Sequence, residues 1–293
     1  MHLSIVIPNF NGEKLLPDLL TALRDVVDNV PLSEVIVADD ASTDESISLI
    51  RASYPWVRIV EGERNLGFGS NCNRGAEAAG GEFLAFVNSD IRLDNDPFAP
   101  LLDLLTRKRE VFAVMPLIFA EGLGRVENVN TIWKRRGLVW LRSRDELPLA
   151  DIGRLQLALE GEAPVPVPLC GAFFVCRREL FRQLGGFASE FAPAYWEDVD
   201  LGLRAEEAGY KVAVAPQVVV RHLHSQTMDQ VMTDRRKRSL LLRNQALLME
   251  RHLETLRPLP WFRWYLALRL PQRMLAGHCA TVASYLRLIF RRR

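Results

Sequence analysis

A chain of 293 residues, 48% hydrophobic and 25% charged, is long enough for one large α/β domain with an appendage, and its composition excludes a disordered chain. A net charge of +1 excludes a molecule built throughout to bind polyanions. The charge is uneven, however: no acidic residue follows Glu254, while Arg257, Arg263, Arg269, Arg273, Arg287 and Arg291 to Arg293 do, which suits a negative surface such as phospholipid headgroups.

The amino terminus, MHLSIVIPNFNG, lacks a basic stretch followed by a long apolar run, so it reads as a first strand and not as a leader peptide. That strand covers Leu3 to Ile7 and is stopped by Pro8, Asn9, Asn11 and Gly12. Apolar residues at helical spacing predict a helix over 15–27. A second strand, 34–38, runs into Asp39-Asp40-Ala41-Ser42-Thr43-Asp44, a polar loop that caps a helix over 45–53. A strand at 57–60, a small-residue-rich helix at 67–79 and a strand at 83–87 follow, the last ending at Asn88-Ser89-Asp90. Strands alternating with helices predict a mostly parallel sheet covered on both faces, with ligands beyond the carboxyl ends of its strands. Three of those ends carry acids or amides: Asn9, Asp39 with Asp40, and Asn88 with Asp90.

The stretch from Glu121 to Pro168 has scattered glycine, proline, arginine and tryptophan, and is expected to form long loops and short helices over one sheet edge. Pattern returns with a strand at 169–176, a helix at 178–184, a Gly185-Gly186-Phe187 turn, a helix at 199–208, and strands at 211–215 and 218–221. From Thr233 onward the chain reads helical, with a break at Pro258 and Pro260. No run of about 18 apolar residues is free of charge, so no membrane span is expected. The four cysteines (Cys72, Cys170, Cys176, Cys279) form no Cys-x-x-Cys pair and read as reduced thiols of a cytosolic protein.

Several residues suit chemistry. A carboxylate at a strand end, such as Asp39 or Asp40, accepts hydrogen bonds from a base imide or a ribose hydroxyl; helix capping is the competing role. Asn88-Ser89-Asp90 has the shape of an Asp-x-Asp metal motif with an amide in the first place, and a hard cation bridging a diphosphate needs only one or two protein carboxylates. Glu197, Asp198 and Asp200 form an acidic cluster that a helix amino terminus also favours. His222 and His224 alternate after the last strand and so face one side.

In order and spacing these elements resemble the family 2 glycosyltransferases of GT-A fold, especially the branch that includes bacterial rhamnosyltransferases. The matching pieces are SIVIPNFNG, VIVADDASTDES, NLGFGSNCNRG, FLAFVNSD, CGAFFVCRRELF, GGF, YWEDVDLGLRAEEAGYKV and VRHLHSQT, between residues 3 and 227. The resemblance implies a GT-A catalytic domain over 1–227, an α/β fold with a Rossmann-like mixed sheet, and a helical C-terminal region over 228–293. It implies an inverting, metal-dependent transfer of a sugar from a UDP- or dTDP-sugar to an acceptor hydroxyl, in cell-surface polysaccharide or glycolipid synthesis. By that resemblance Asp39, Asn9, Pro8 and Asp40 hold the base and ribose, and Asn65, Asn73, Arg74 and Asn88 line the nucleotide pocket. Asp90 and His222 hold Mg²⁺ or Mn²⁺, and Asp198 is the general base. His222 is chosen over His224 because it stands five before Thr227, as the family's histidine stands before a serine. Glu197 and Asp200 support the site, and Arg204 pairs with these acids or with phosphate.

The physical requirements agree. The acceptor hydroxyl must lose a proton as its bond forms, so one carboxylate within reach is needed. The leaving diphosphate gathers charge that a cation stabilises. Aromatic residues interleaved with arginine over 260–290 suit either an interfacial helix or one packed on the catalytic domain. The implied partners are a nucleotide-diphosphate sugar, a saccharide or lipid-linked acceptor and a membrane surface, not nucleic acid. The implied location is the cytoplasm, at the inner face of the cell membrane. A non-catalytic nucleotide-sugar-binding module and a nucleotidyltransferase are the alternatives. The first would have lost Asp90 or Asp198, and the second would carry a basic glycine-rich loop near the first strand.

Overall fold

Leu3, Ile5 and Ile7 pack on one side of a sheet and Val6 on the other, the alternation of a strand buried on both faces. The computed structural model describes residues 2–27, 32–135, 138–143, 165–223, 233–256, 262–275 and 279–290. This strand, β1 (Leu3–Asn9), is followed by α1 (Leu16–Val27), β2 (Leu32–Asp39), α2 (Ser46–Ser53), β3 (Arg58–Glu61), α3 (Phe68–Ala78) and β4 (Phe83–Val87). Strands β1 to β4 are parallel, in the order β4-β1-β2-β3. Their carboxyl ends therefore open on one side, as the alternating pattern predicts.

The rest of the sheet comes from later in the chain. After β5 (Ile91–Arg92) and α4 (Phe98–Arg107) comes β6 (Val111–Ala120), all ten residues of which are buried. The reading of the sequence passed over both α4 and β6, although VFAVMPLIFA is the longest apolar run near the sheet. Next are β7 (Arg125–Val126), β8 (Asn130–Arg135), β9 (Leu138–Ser143), β10 (Val165–Pro166), β11 (Phe173–Arg177), α5 (Arg178–Gln183), α6 (Glu197–Glu207) and β12 (Lys211–His222). Among the described residues one ten-stranded sheet runs β10-β12-β6-β11-β4-β1-β2-β3, with β5 on β12 and β7 on β6; β11 is antiparallel to both neighbours. Residues of α1, α2 and α4 fill the core on one face, and those of α3, α5 and α6 fill it on the other.

Three differences from the sequence reading have physical causes. The two strands expected at 211–215 and 218–221 are one strand, β12, whose register on β6 slips between Ala215 and Val219. Pro216 has no N–H to give a ladder, so the strand bulges there and continues. The strand expected at 169–176 begins only at Phe173. The segment expected to be loops and short helices contains an antiparallel hairpin, β8–β9, in which Trp133 faces Trp140; residues 144–164 lie outside the described set.

After the sheet come α7 (Asp234–Arg251), α8 (Leu253–Leu256), α9 (Phe262–Leu275) and α10 (Cys279–Phe290). They share a separate apolar cluster with the hairpin and α6: Leu138, Val139, Val199 and Leu203 pack with Leu248, Leu266, Tyr285 and Leu288. Among the described residues no helix is long and apolar enough to cross a membrane. The boundary expected at 227 and 228 lies outside the described residues.

Candidate active site

The ends of β1 and β2 meet as their parallel pairing requires, and their polar residues bond to each other. Asn9 Nδ2 donates to Asp39 Oδ1 at 2.8 Å. Ser42 closes the Asp39 carboxylate, its hydroxyl donating to Oδ1 at 2.5 Å and its N–H to Oδ2 at 2.9 Å. Asp40 points the other way. Its oxygens accept the N–H groups of Leu66 at 3.0 Å and Gly67 at 2.8 Å, fixing the chain as it enters α3. Gly67 sits at φ 88°, and a Cβ there would lie 2.6 Å from the Pro193 backbone, so only glycine permits this approach. Arg74 donates to Asp39 O and Asn71 Oδ1, both at 2.8 Å, and comes within 3.5 Å of Asp40.

Thus Pro8, Asn9, Asp39, Asp40 and Arg74 are gathered at one sheet edge. Asn73 is not turned toward them: its side chain exchanges two hydrogen bonds with the backbone of Phe187, at 2.8 and 2.9 Å, and so holds the Gly185-Gly186-Phe187 turn. Asn65 is exposed on the loop before α3. Asn71 went unnoticed in the sequence, yet it is buried and donates to Ala38 O at 2.7 Å. No spacing rule separates it from Asn73; only the helix orientation does.

Asp90 follows β4 and leads into β5. Pairing of β5 with β12 sets Ile91 opposite His222, which brings His222 Nε2 to 3.0 Å from Asp90 Oδ1. Strand β7, folded back on the end of β6, delivers the Glu127 that follows it, whose Oε1 lies 2.5 Å from His222 Nδ1. Burial pulls the His222 pKa down, but the hydrogen bonds and charges of Asp90 and Glu127 outweigh it and lift it to about 10. Glu127 went unnoticed because it belongs to the region that matched no pattern. His224 lies outside the described residues.

Among the described residues no three His, Cys, Asp or Glu side chains converge on one point. A cation that bridges a diphosphate does not require three, because phosphate and water oxygens complete its shell. The donor set fits this arrangement. Asp90 and His222 are adjacent, and among the described residues the buried Oδ1 atoms of Asn88 and Asn9 have no hydrogen-bond partner. A bound cation would take the place of the proton that His222 Nε2 shares with Asp90, and Glu127 on Nδ1 would orient the imidazole.

The third cluster opens α6. This helix starts two residues earlier than expected, so Glu197, Asp198 and Asp200 lie in its first turn, where the backbone dipole favours negative charge. Asp198 is half-buried. Its Oδ2 accepts Gly171 N–H and its Oδ1 accepts Val199 N–H, each at 2.8 Å. Burial raises its pKa, and those N–H groups oppose the rise. Glu197 is buried, and among the described residues its Oε2 has no hydrogen-bond partner. Burial, then the Asp198 charge, push its pKa well up. Asp200 is 0% exposed and accepts from Arg204 Nε at 2.8 Å, Arg251 Nε at 2.8 Å and His252 Nε2 at 3.0 Å. Of the two roles weighed for Arg204, its contacts are with the acid: it holds Asp200 and the carbonyls of Leu184 and Gly186.

Non-glycine residues with positive φ gather at these loops: Asn11 after β1, Ala41 after β2, and Tyr195 and Trp196 before α6. Such conformations cost about 1–3 kcal/mol each and need support from their surroundings. Before α6 that support comes from α7, where Asn244 donates to the carbonyls of Phe191, Ala194 and Tyr195 at 2.7–2.9 Å. The described thiols of Cys72, Cys170 and Cys176 are free and are pushed up in pKa by burial, so none is set up as a nucleophile.

Known proteins resemble this chain in sequence and in fold. The sequence profile described as Glycosyl transferase family 2 matches residues 4–185, and that of Glycosyl transferase family 21 matches residues 167–272. An N-acetylglucosaminyl-diphospho-decaprenol L-rhamnosyltransferase of Mycobacterium tuberculosis is 29% identical over 207 residues, covering 64% of this chain and 66% of its own length. The O-antigen chain rhamnosyltransferase RfbN of Salmonella typhimurium is 24% identical over 239 residues, covering 78% of this chain and 68% of its own. In fold the chain is similar to GalNAc-T7, solved with UDP, GalNAc and Mn²⁺. That likeness has a TM-score of 0.63 at 19% identity over 85% of this chain and 48% of the other. The architecture is GT-A.

Proposed function

The chain belongs to glycosyl transferase family 2, with rhamnosyltransferases among its relatives, and we propose that it transfers a sugar from a UDP- or dTDP-sugar to an acceptor hydroxyl with inversion and with a divalent cation. The observation that carries this reading is the convergence of Asn9 with Asp39, the orphaned Asn88 Oδ1 and the Asp90–His222 pair at the carboxyl ends of parallel strands. In it Asn9, Pro8 and Asp39 orient the base and ribose. Asp40 and Arg74 act through the loop they hold, and Asn65 and Asn73 flank the pocket. Asp90 and His222 hold Mg²⁺ or Mn²⁺, which when bound neutralises charge on the diphosphate. Mn²⁺ in the GalNAc-T7 structure supports a divalent cation without choosing between the two metals.

Asp198 is the base. It is the acid in the α6 cluster that is half-buried and held by backbone N–H groups, whereas Asp200 is held in ion pairs and Glu197 is buried. A half-buried carboxylate with a raised pKa takes a hydroxyl proton more readily than an exposed one. With Asp198 taking its proton, the acceptor hydroxyl attacks the anomeric carbon as the nucleoside diphosphate leaves, a single displacement that needs no covalent intermediate and inverts that carbon.

The acceptor in this reading is a saccharide or a lipid-linked saccharide in cell-surface polysaccharide or glycolipid synthesis, and the working location is the inner face of the cell membrane. In support, Trp264, Leu268, Leu275 and Phe290 on α9 and α10 are 76%, 77%, 90% and 75% exposed, beside a run of arginines that carries no acid after Glu254. Exposed apolar side chains in an arginine-rich, acid-free segment suit the headgroup boundary. The helical region over 228–293 is accordingly proposed as a membrane-facing extension of the catalytic domain over 1–227.

Calorimetry with UDP, dTDP, GDP and CMP, each with and without Mn²⁺, tests the reading. Binding of UDP or dTDP that depends on Mn²⁺ is expected. Folded protein that binds none of the four with the metal present refutes it.

A further inference from the structure

The hairpin β8–β9 and the helices α9 and α10 enclose a cavity of about 610 Å³, within the range of small-molecule sites. Among the described residues its lining carries Arg125, Arg142, Arg269 and Arg273 against one carboxylate, Glu127. Two of the guanidinium groups are stacked on rings: Arg142 lies 5.5 Å from the centre of Trp133, and Arg269 lies 5.4 Å from that of Tyr265. Stacking holds the guanidinium plane while leaving its N–H edge to face a ligand. Arg273 Nε is buried and has no hydrogen-bond partner among the described residues. A planar fork of this kind matches phosphate oxygens two at a time.

The cavity also reaches the proposed reaction centre. Glu127 in its wall touches His222, which touches Asp90. Helix α9 divides its faces. Tyr265, Arg269 and Arg273, four residues apart, turn into the cavity, while Trp264 and Leu268 turn outward to solvent.

We propose that this cavity receives the phosphate-bearing end of the acceptor, so that the acceptor is a phospho- or diphospho-linked saccharide and not a neutral one. This rests on the glycosyltransferase reading above. The arginines hold the phosphate oxygens, and the faces of Trp133 and Trp140 pack on the sugar that carries the attacking hydroxyl. An exposed apolar face on the same helix is suited to the lipid portion of such an acceptor, but the phosphate contact is the same for a soluble sugar phosphate.

The test is a tryptophan-fluorescence titration of the full chain with inorganic pyrophosphate, farnesyl diphosphate and farnesol. EDTA is present, so that the donor-side cation does not bind the diphosphate. Both diphosphates are expected to change the fluorescence and farnesol is not, with the signal lost in the Trp133→Phe/Trp140→Phe variant. Arg142→Ala and Arg269→Ala should each weaken diphosphate binding by about tenfold or more, the loss of a hydrogen bond to a charged group. Mn²⁺-dependent UDP affinity should stay unchanged in both, which shows that the variants fold. Tighter binding of farnesyl diphosphate than of pyrophosphate identifies a lipid-linked acceptor, and equal binding a soluble one; either supports the proposal. It is overturned if neither diphosphate binds, or if the arginine variants bind as the parent does. Loss of nucleotide binding in the parent with diphosphate binding intact would sink the donor reading instead.

Discussion

Replacing Asp198 by Asn separates chemistry from binding, and the structure gives the size of both effects. As a base, the carboxylate contributes about 10²–10⁴-fold to the rate, so transfer should fall by that factor at saturating donor and acceptor. The substitution also has a structural cost. Asp198 accepts two backbone N–H groups on two different oxygens, Gly171 on Oδ2 and Val199 on Oδ1. An Asn side chain has one oxygen, so one of those N–H groups faces an NH₂ and is left unsatisfied, at about 1–3 kcal/mol. For a chain of this size each kcal/mol lowers the melting temperature by about 2–4 °C. The assay is initial rate against substrate for parent, Asp198→Asn and Glu197→Gln, with UDP affinity and thermal melts on the same samples. Asp198→Asn should melt lower, bind UDP with Mn²⁺ as the parent does, and transfer poorly. Glu197→Gln, which keeps the size of a buried side chain given no part in the proton transfer, should remain active. The assignment is refuted if Asp198→Asn keeps more than about a tenth of the parent rate, or if Glu197→Gln is the inactive variant.

Asp90→Ala should abolish the Mn²⁺ dependence of UDP binding and weaken it; unchanged metal-dependent affinity in calorimetry would remove Asp90 from the cation site. Asp200→Ala strands Arg204, Arg251 and His252 around a buried position and should cost about 3–5 kcal/mol, read from urea unfolding. The same cluster sets a pH window. Burial lowers the His252 pKa, yet hydrogen bonds with Asp200 and Glu207 raise it above 6.5 overall, so its contribution is complete below 6.5 and is lost as pH rises through the folded value. Burial raises the Asp200 pKa, yet His252, Arg204 and Arg251 bring it below 3.8, so its contribution is complete above 3.8 and is lost as pH falls through the folded value. Unfolding midpoints should therefore decline on both sides of that window, and His252→Asn should flatten the alkaline side. Gly75→Ala would place a Cβ 2.4 Å from Val6 Cγ1 and should destabilise by about 1–3 kcal/mol; an unchanged melting temperature would contradict the close packing of α3 on β1.

The parallel half of the sheet was legible in the sequence because its determinants are local. Alternating buried residues, a polar loop at each strand end and helical spacing between them identify β1 to β4 and place Asn9, Asp39 and Asp90 on one edge. The tertiary structure decided how those polar groups are used. Asp39 and Asp40 are neighbours in the chain, yet one faces Asn9 and Ser42 while the other holds the loop that enters α3, because successive residues point to opposite sides. The Asp90–His222–Glu127 line joins residues 132 and 95 positions apart, through strand register that no local pattern encodes. The hairpin β8–β9 and the clamp of Asn244, Arg251 and His252 on α6 likewise depend on long-range packing of the C-terminal helices. The sequence alone determined which chemical groups stand at the strand ends. Only the fold decided which of them remain available to a ligand, because each hydrogen bond made within the protein removes one that a substrate could have made.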